Sequence, residues 1–171
     1  MNNFFNYKRE KINLIEHCLQ QKVQFGNKLK IHIGTDSIAK DGNVYYYSVI
    51  AFRHSNNGVH FIFSKEKVQS YRTGDGKPDL FTRLFRECQL TLDIANFLVN
   101  DELFRRDDII VELDYNNLVE TISNKVVNAT KGWVIGSGFK CLVKYKENAT
   151  KPDQWEDQIA CKAANHLCQG I

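Results

Sequence analysis

Between Leu29 and Val68 three β-rich segments follow one another across turns too short to hold a helix. No other feature of the chain narrows the choice of fold as far. The first segment is apolar through Ile31 and Ile33 and predicts a strand over 29–35. After the turn Lys40-Asp41-Gly42-Asn43, the run VYYYSVIAFR at 44–53 is dense in aromatic and β-branched residues, which suit a pleated, half-buried surface. Asn56-Asn57-Gly58 leads into VHFIFSKEKV at 59–68. Short turns rich in Asn and Gly between such runs mark hairpins, so the three segments predict an antiparallel meander.

Beyond Val68 helices and strands alternate. A helix is expected over 80–99, with Leu84, Cys88, Leu92 and Ala95 as its core stripe and Leu80, Phe81 and Leu98 widening it. IIVELD at 109–114 reads as a fourth strand, Leu118 to about Ala129 as a helix, and residues 139–145 as a fifth strand. A last helix is expected from Asp153 to about Leu167, with Pro152 ahead of it and Asp153 and Glu156 spaced as a capping box. Upstream, residues 4–22 show helical spacing through Phe5, Ile12, Ile15 and Leu19, and Gly26-Asn27 stops the run. The order predicts an α/β fold: a mixed five-stranded sheet with helices on both faces and an extra N-terminal helix. A doubly wound nucleotide-binding sheet alternates strand and helix from its start and does not fit. At 171 residues the chain is expected to be a single domain, 1–171, with 1–28 as an N-terminal helical extension.

Composition excludes more than it selects. Hydrophobic content of 43%, charged content of 25% and a net charge of +3 permit an acidic partner without demanding one. Cys18, Cys88, Cys141, Cys161 and Cys168 make an odd set with no CxxC pair. They read as reduced core thiols, so no disulfide-linked partner is expected. His166 and Cys168 lack the second pair that a zinc site needs. No run approaches the ~20 apolar residues of a membrane span, and the N-terminus has no signal-peptide core. A cytoplasmic protein without a membrane partner is expected.

The carboxylates carry the chemistry. Asp36 stands at the end of the first strand, among Gly34, Thr35 and Ser37, and Asp114 ends the fourth. If those strands are neighbours, both acids emerge at one edge of the sheet. Glu87 sits at the border of the apolar stripe of the long helix and can lean toward that edge. Asp153, Glu156 and Asp157 fall in the expected first turn of the last helix. Each acid also has an ordinary explanation. Asp36 can close a turn, Glu87 can pair with Arg83, Asp114 can cap a helix, and the last three can offset a helix dipole. Grouped together they would repel and raise one another's pKa, a cost that a cation removes. An all-oxygen set favours Mg²⁺ or Mn²⁺, as in two-metal phosphodiester hydrolysis.

The sequence resembles the YkuK-like group of ribonuclease H-like proteins, long carried as a domain of unknown function. The resemblance rests on IGTDS at 33–37, LFTRLFRE at 80–87, IIVELDYN at 109–116, KGWVIGSGF at 131–139 and KPDQWEDQIACKAANH at 151–166. It implies a ribonuclease H-like fold, which the element order also suits, and nuclease activity. By the same resemblance Asp36 is the metal-bridging aspartate, Glu87 the helix glutamate and Asp114 the aspartate ending strand four. Asp157 is taken as the fourth acid, with Asp153 and Glu156 close enough to replace it. The related two-domain ATPases need a second half, and GWVIGSG has neither the Lys nor the spacing of a phosphate-binding P-loop.

Lys65, Lys67, Tyr71, Arg72 and Lys77 gather ahead of the long helix and suit a nucleic-acid backbone with a stacked base. Lys140, Lys144 and Lys146 read as a solvated strand face, and Tyr45, Tyr46 and Tyr47 as sheet packing. Two functions are compatible with these features. One is a Mg²⁺- or Mn²⁺-dependent nuclease on RNA, DNA or a hybrid, with Asp36, Glu87, Asp114 and Asp157 as metal ligands and catalytic residues. The other is a non-catalytic module of the same fold that binds nucleic acid or protein.

Overall fold

A computed structural model describes residues 3–55, 58–72, 79–115, 120–144 and 158–170. Among these residues the sheet has seven strands: β1 (Phe4–Phe5), β2 (Lys11–Ile12), β3 (Leu29–Lys40), β4 (Asn43–His54), β5 (Val59–Gln69), β6 (Ile109–Asp114) and β7 (Lys140–Lys144). Four helices accompany it among the described residues: α1 (Leu14–Phe25), α2 (Leu80–Asn100), α3 (Glu120–Gly136) and α4 (Ala160–Cys168). The strand order is β2-β1-β5-β4-β3-β6-β7. β3, β4 and β5 form the expected meander, and β6 and β7 add to it in parallel. Asp41 and Gly42 both have positive φ, 51° and 71°, which is the twist a two-residue hairpin turn needs.

The sheet therefore has two strands more than the five expected. They come from the start of the chain, where residues 4–12 fold back as a hairpin against β5, with Phe4 paired to Ser64. The helix begins only at Leu14, where the Asn13 side chain accepts the N–H groups of Ile15 and Glu16. Its buried residues are Leu14 and Cys18, while Ile15 and Leu19 are 43% and 46% exposed. The apolar spacing of Phe5 and Ile12 belongs to strands. Ile15 and Leu19 do not form the buried stripe.

α1, α2 and α3 cover one face of the sheet. Ile31, Ile33, Ile109 and Val111 meet Leu84, Cys88, Leu92 and Ala95 there, and Leu14 and Val126 join the same core. Phe81, expected to widen the stripe of α2, is 47% exposed. α3 runs seven residues past its expected end, carrying Gly132 and Gly136 within it and closing at Gly138, whose φ is +81°. On the opposite face α4 packs Ala160 and Ala164 on Val49, Ala51 and Phe63.

The sequence predicts a last helix from Asp153, but Gln158 and Ile159 are not helical and α4 starts at Ala160. Its N-cap residue, Ile159, makes no side-chain cap. Glu112 of β6 does so instead: Oε1 accepts the Ile159 N–H at 2.8 Å and Oε2 the Cys161 N–H at 2.9 Å. A carboxylate at a helix N-terminus satisfies free N–H groups and meets the positive end of the dipole. The capping box of Asp153 and Glu156 lies outside the described residues.

Gly34 lets α4 come this close. A Cβ there would stand 2.7 Å from Cys161 Sγ and 3.0 Å from Cys161 N. Gly34→Ala should destabilise the protein by roughly 1–3 kcal/mol, the usual cost of overpacking. Urea denaturation measures it, and an unchanged midpoint would show that α4 yields at no cost.

Candidate functional site

Asp36 does not end its strand. β3 continues to Lys40 and pairs with β4 throughout, Asp36 opposite Tyr47. What ends is the pairing with β6, whose last registered pair is Gly34 with Glu112. Asp36 and Asp114 stand two residues beyond that pair on their respective strands. The expected juxtaposition thus arises where two parallel strands part, and both residues are half-buried there.

Glu87 approaches from the other side. It is 3% exposed, and Ser37 Oγ donates to its Oε1 at 2.5 Å. Arg83, one turn back, lies 3.9 Å from the same oxygen, and its buried Nε makes no hydrogen bond among the described residues. The contact is too long for a strong ion pair, so the pairing with Arg83 does not account for the burial of Glu87. Burial, then the charge of Asp36, push the Glu87 carboxyl up to about 8; Ser37 and Arg83 oppose the shift and Asp114 adds to it. The Asp36 carboxyl is raised too, first by burial and then by Asp114, against the pull of the Ser37 N–H and Arg83. That N–H lies 2.8 Å from Asp36 Oδ1, so a local turn-like bond coexists with the clustering.

Asp36, Glu87 and Asp114 therefore share one electrostatic neighbourhood. Among the described residues, however, no three His, Cys, Asp or Glu side chains converge closely enough to hold a metal ion as they stand. Asp157, the expected fourth acid, lies outside the described residues, as do Asp153, Glu156 and Lys77.

Lys65 and Lys67 of β5 fall on the face of the sheet that Asp36 occupies. Register aligns Asp36 with Tyr47 and Tyr47 with Lys65 in one cross-strand row. At about 4.8 Å per strand, Lys65 stands roughly 10 Å from Asp36 across the sheet. Its Nζ lies 4.9 Å from the centroid of the Tyr45 ring and 5.1 Å from that of Tyr47, and Lys67 Nζ lies 5.6 Å from that of Tyr45. Of the three tyrosines, only Tyr46 is fully buried packing, while Tyr45 and Tyr47 underlie the lysines. Tyr71 and Arg72 are exposed just beyond β5.

Sequence reasoning missed Ser37 as the partner of Glu87 and treated Arg83 only as its ion-pair mate. It also passed over Glu112, although an acid in the middle of IIVELD was a signal. That side chain is fully buried, and its Oε1 also lies 2.7 Å from His32 Nδ1.

No curated protein and no solved structure matches the chain. The family described as Ribonuclease H-like matches residues 11–151, from β2 through β7, and so takes in Asp36, Glu87 and Asp114 but not α4. With that match across most of its length, the chain belongs to the ribonuclease H-like family.

Proposed function

We propose that the chain hydrolyses phosphodiester bonds of nucleic acid with the help of Mg²⁺ or Mn²⁺. The observation that carries this reading is the buried Glu87, bonded to Ser37 next to Asp36 where β3 and β6 part, its carboxyl pushed up to about 8 by burial and then by Asp36. Acids crowded at one sheet edge, with Arg83 Nε 3.9 Å from Glu87, gain by taking up a dication. The donors are all carboxylate oxygens, which suit Mg²⁺ and Mn²⁺ and not softer metals. Asp36, Glu87 and Asp114 would hold the ions, with Asp157 as the fourth ligand. When bound, such ions make water acidic enough to attack a phosphodiester and stabilise the departing oxygen.

The chain's own residues prepare the reaction. Ser37 orients the Glu87 carboxyl through its hydroxyl. Lys65, in the row that leads to Asp36, and Lys67, two residues on, are held over their tyrosines and offer phosphate contacts, and Tyr71 and Arg72 follow just beyond β5, with Lys77 proposed as a further contact. An acid edge beside a cationic face lets a strand's backbone lie across the sheet with one phosphate at Asp36.

The test is cleavage of labelled single-stranded, duplex and hybrid oligonucleotides with Mn²⁺ and with EDTA. Cleavage that needs the ion supports the proposal, and none in either condition refutes it. For the fourth acid, Asp157→Asn should lower cleavage sharply yet keep partial Mn²⁺ binding, whereas Asp153→Asn should keep most activity. Full activity in Asp157→Asn with loss in Asp153→Asn or Glu156→Gln would move the assignment. A second reading draws on the described acids not converging on one ion. In that reading the chain is a non-catalytic module that binds nucleic acid through the β5 lysines, and oligonucleotide binding without cleavage would favour it.

A further inference from the structure

α1 meets the sheet through histidines. Of its 12 residues, Leu14 and Cys18 are the buried ones. A second stripe of the helix, His17, Gln21 and Phe25 at successive turns, faces imidazoles on β4 and β5. His17 Nε2 lies 3.0 Å from His60 Nε2 of β5, and Gln21 Oε1 lies 3.0 Å from His54 Nε2 of β4. The Phe25 ring stacks on that of His54, centroids 3.7 Å apart. Beneath His17 and His60 is the fully buried ring of Phe52, the cross-strand partner of His60.

The His17–His60 contact has a limited tolerance for protons. Two imidazoles meeting through Nε2 share one hydrogen, so one ring donates and the other accepts on its lone pair. One added proton can go to Nδ1 of the donor ring and leave that bond intact. A second must occupy the accepting lone pair. Two N–H groups then oppose each other across 3.0 Å, and two positive charges share the interface. His54 differs, because its Nε2 donates to an amide oxygen and keeps that bond when Nδ1 is protonated.

The surrounding charges fit this reading. Burial, then His60, hold the His17 imidazole below its ordinary 6.5, and burial, then His54, do the same for His60. On α1 the charged neighbours are the exposed Glu16 and Lys22, and Lys22 Nζ donates to the Glu102 carbonyl beyond α2. On β5 the acid of the same face is Glu66, six residues from His60 and about 20 Å along the strand, bound to Arg86. On β4 the neighbour of His54 is Arg53, which alternation places on the opposite face.

We propose that the His17–His60 contact is an acid-sensitive latch: uptake of two protons frees α1 from β4 and β5 while the rest of the sheet stays folded. Both rings favour the neutral form in the fold, so the stability they add is full above about 6.5 and is lost as pH falls below it. A helix of this length is marginal by itself in water, so α1 unwinds once released and uncovers Phe52.

The test is hydrogen exchange of the full chain at pH 7.5 and pH 5, corrected for the intrinsic pH dependence of exchange, comparing α1 with α2. In wild type the opening of α1 should rise at least tenfold relative to α2 on going to pH 5. His60→Gln keeps a hydrogen-bonding group opposite His17 but takes up no proton, so that rise should shrink at least threefold. Equal changes in α1 and α2 of the wild type, or an undiminished rise in His60→Gln, overturn the proposal. So does a rise that persists in His60→Gln and disappears in His54→Gln, which would move the latch to His54. Should His60→Gln already free α1 at pH 7.5, imidazole NMR of the wild type decides: His17 and His60 should both titrate below 6.5, and titration of either at or above that value overturns the latch.

Discussion

Asp36→Asn is expected to abolish Mn²⁺- or Mg²⁺-dependent cleavage while the chain stays folded. Asp36 stands where β3 and β6 part, and its carboxyl is raised by burial and by Asp114. Its ionised form is therefore costly without a cation and valuable with one. Asn keeps the shape and can still accept the Ser37 N–H that Asp36 Oδ1 binds at 2.8 Å. What it loses is the charge. The loss of metal affinity should exceed the roughly 10–100-fold that removing an outer-shell partner of a metal costs. Metal-free melting temperature should hold or rise, since one of several crowded negative charges is gone. Isothermal titration with Mn²⁺, cleavage assays and thermal melts read the three effects. A mutant that no longer unfolds cooperatively would show that Asp36 serves the β3–β4 ladder and not a metal.

The sequence made the central sheet legible because its signals are local. The β-branched and aromatic runs and the Asp41-Gly42 turn specify β3, β4 and β5 by themselves, and IIVELD coincides with β6. Alternation after the long helix predicted two strands beyond the meander, and Asp36 beside Asp114 followed only if the strands that carry them were neighbours, as β3 and β6 are. The errors fall where tertiary contacts overrule local spacing. Phe5 and Ile12 lie seven residues apart, a helical period, yet β5 offers its edge and Phe4 pairs there instead. Asp153 and Glu156 point to an earlier start for α4, whereas its cap comes from Glu112, on another strand, which local capping rules do not detect. β3 outruns its expected length for the same reason. Asp36 reads as a terminator in isolation, but Tyr47 opposite it keeps the strand going. Ser37 became visible as a site residue only once α2 crossed β3 and brought Glu87 to it.

Glu87 should make the metal-free protein less stable as pH rises from about 4.5 to about 8. Its carboxyl has an ordinary value of 4.5 and is pushed up to about 8 in the fold, first by burial and then by Asp36. Between those values the folded chain holds a proton that the unfolded chain has released. The resulting stability is fully present below about 4.5 and is lost as pH climbs through about 8. The loss is at most on the order of a few kcal/mol, because Asp36 and Glu87 titrate as a coupled pair. Glu87→Gln keeps the size of the side chain and an oxygen for Ser37 Oγ but has no proton to lose. Its melting temperature in EDTA should vary less with pH, and at pH 8 to 9 it should exceed that of the wild type. A divalent ion must displace the same proton, so wild-type Mn²⁺ affinity should climb with pH until about 8 and then level. In Glu87→Gln that climb should shrink and cleavage should fall with it. Melts from pH 5 to 9, with EDTA and with Mn²⁺, test both halves. If the mutant keeps the wild-type slope in EDTA, Glu87 is not the titrating group. If it keeps full cleavage as well, Glu87 leaves the proposed site altogether.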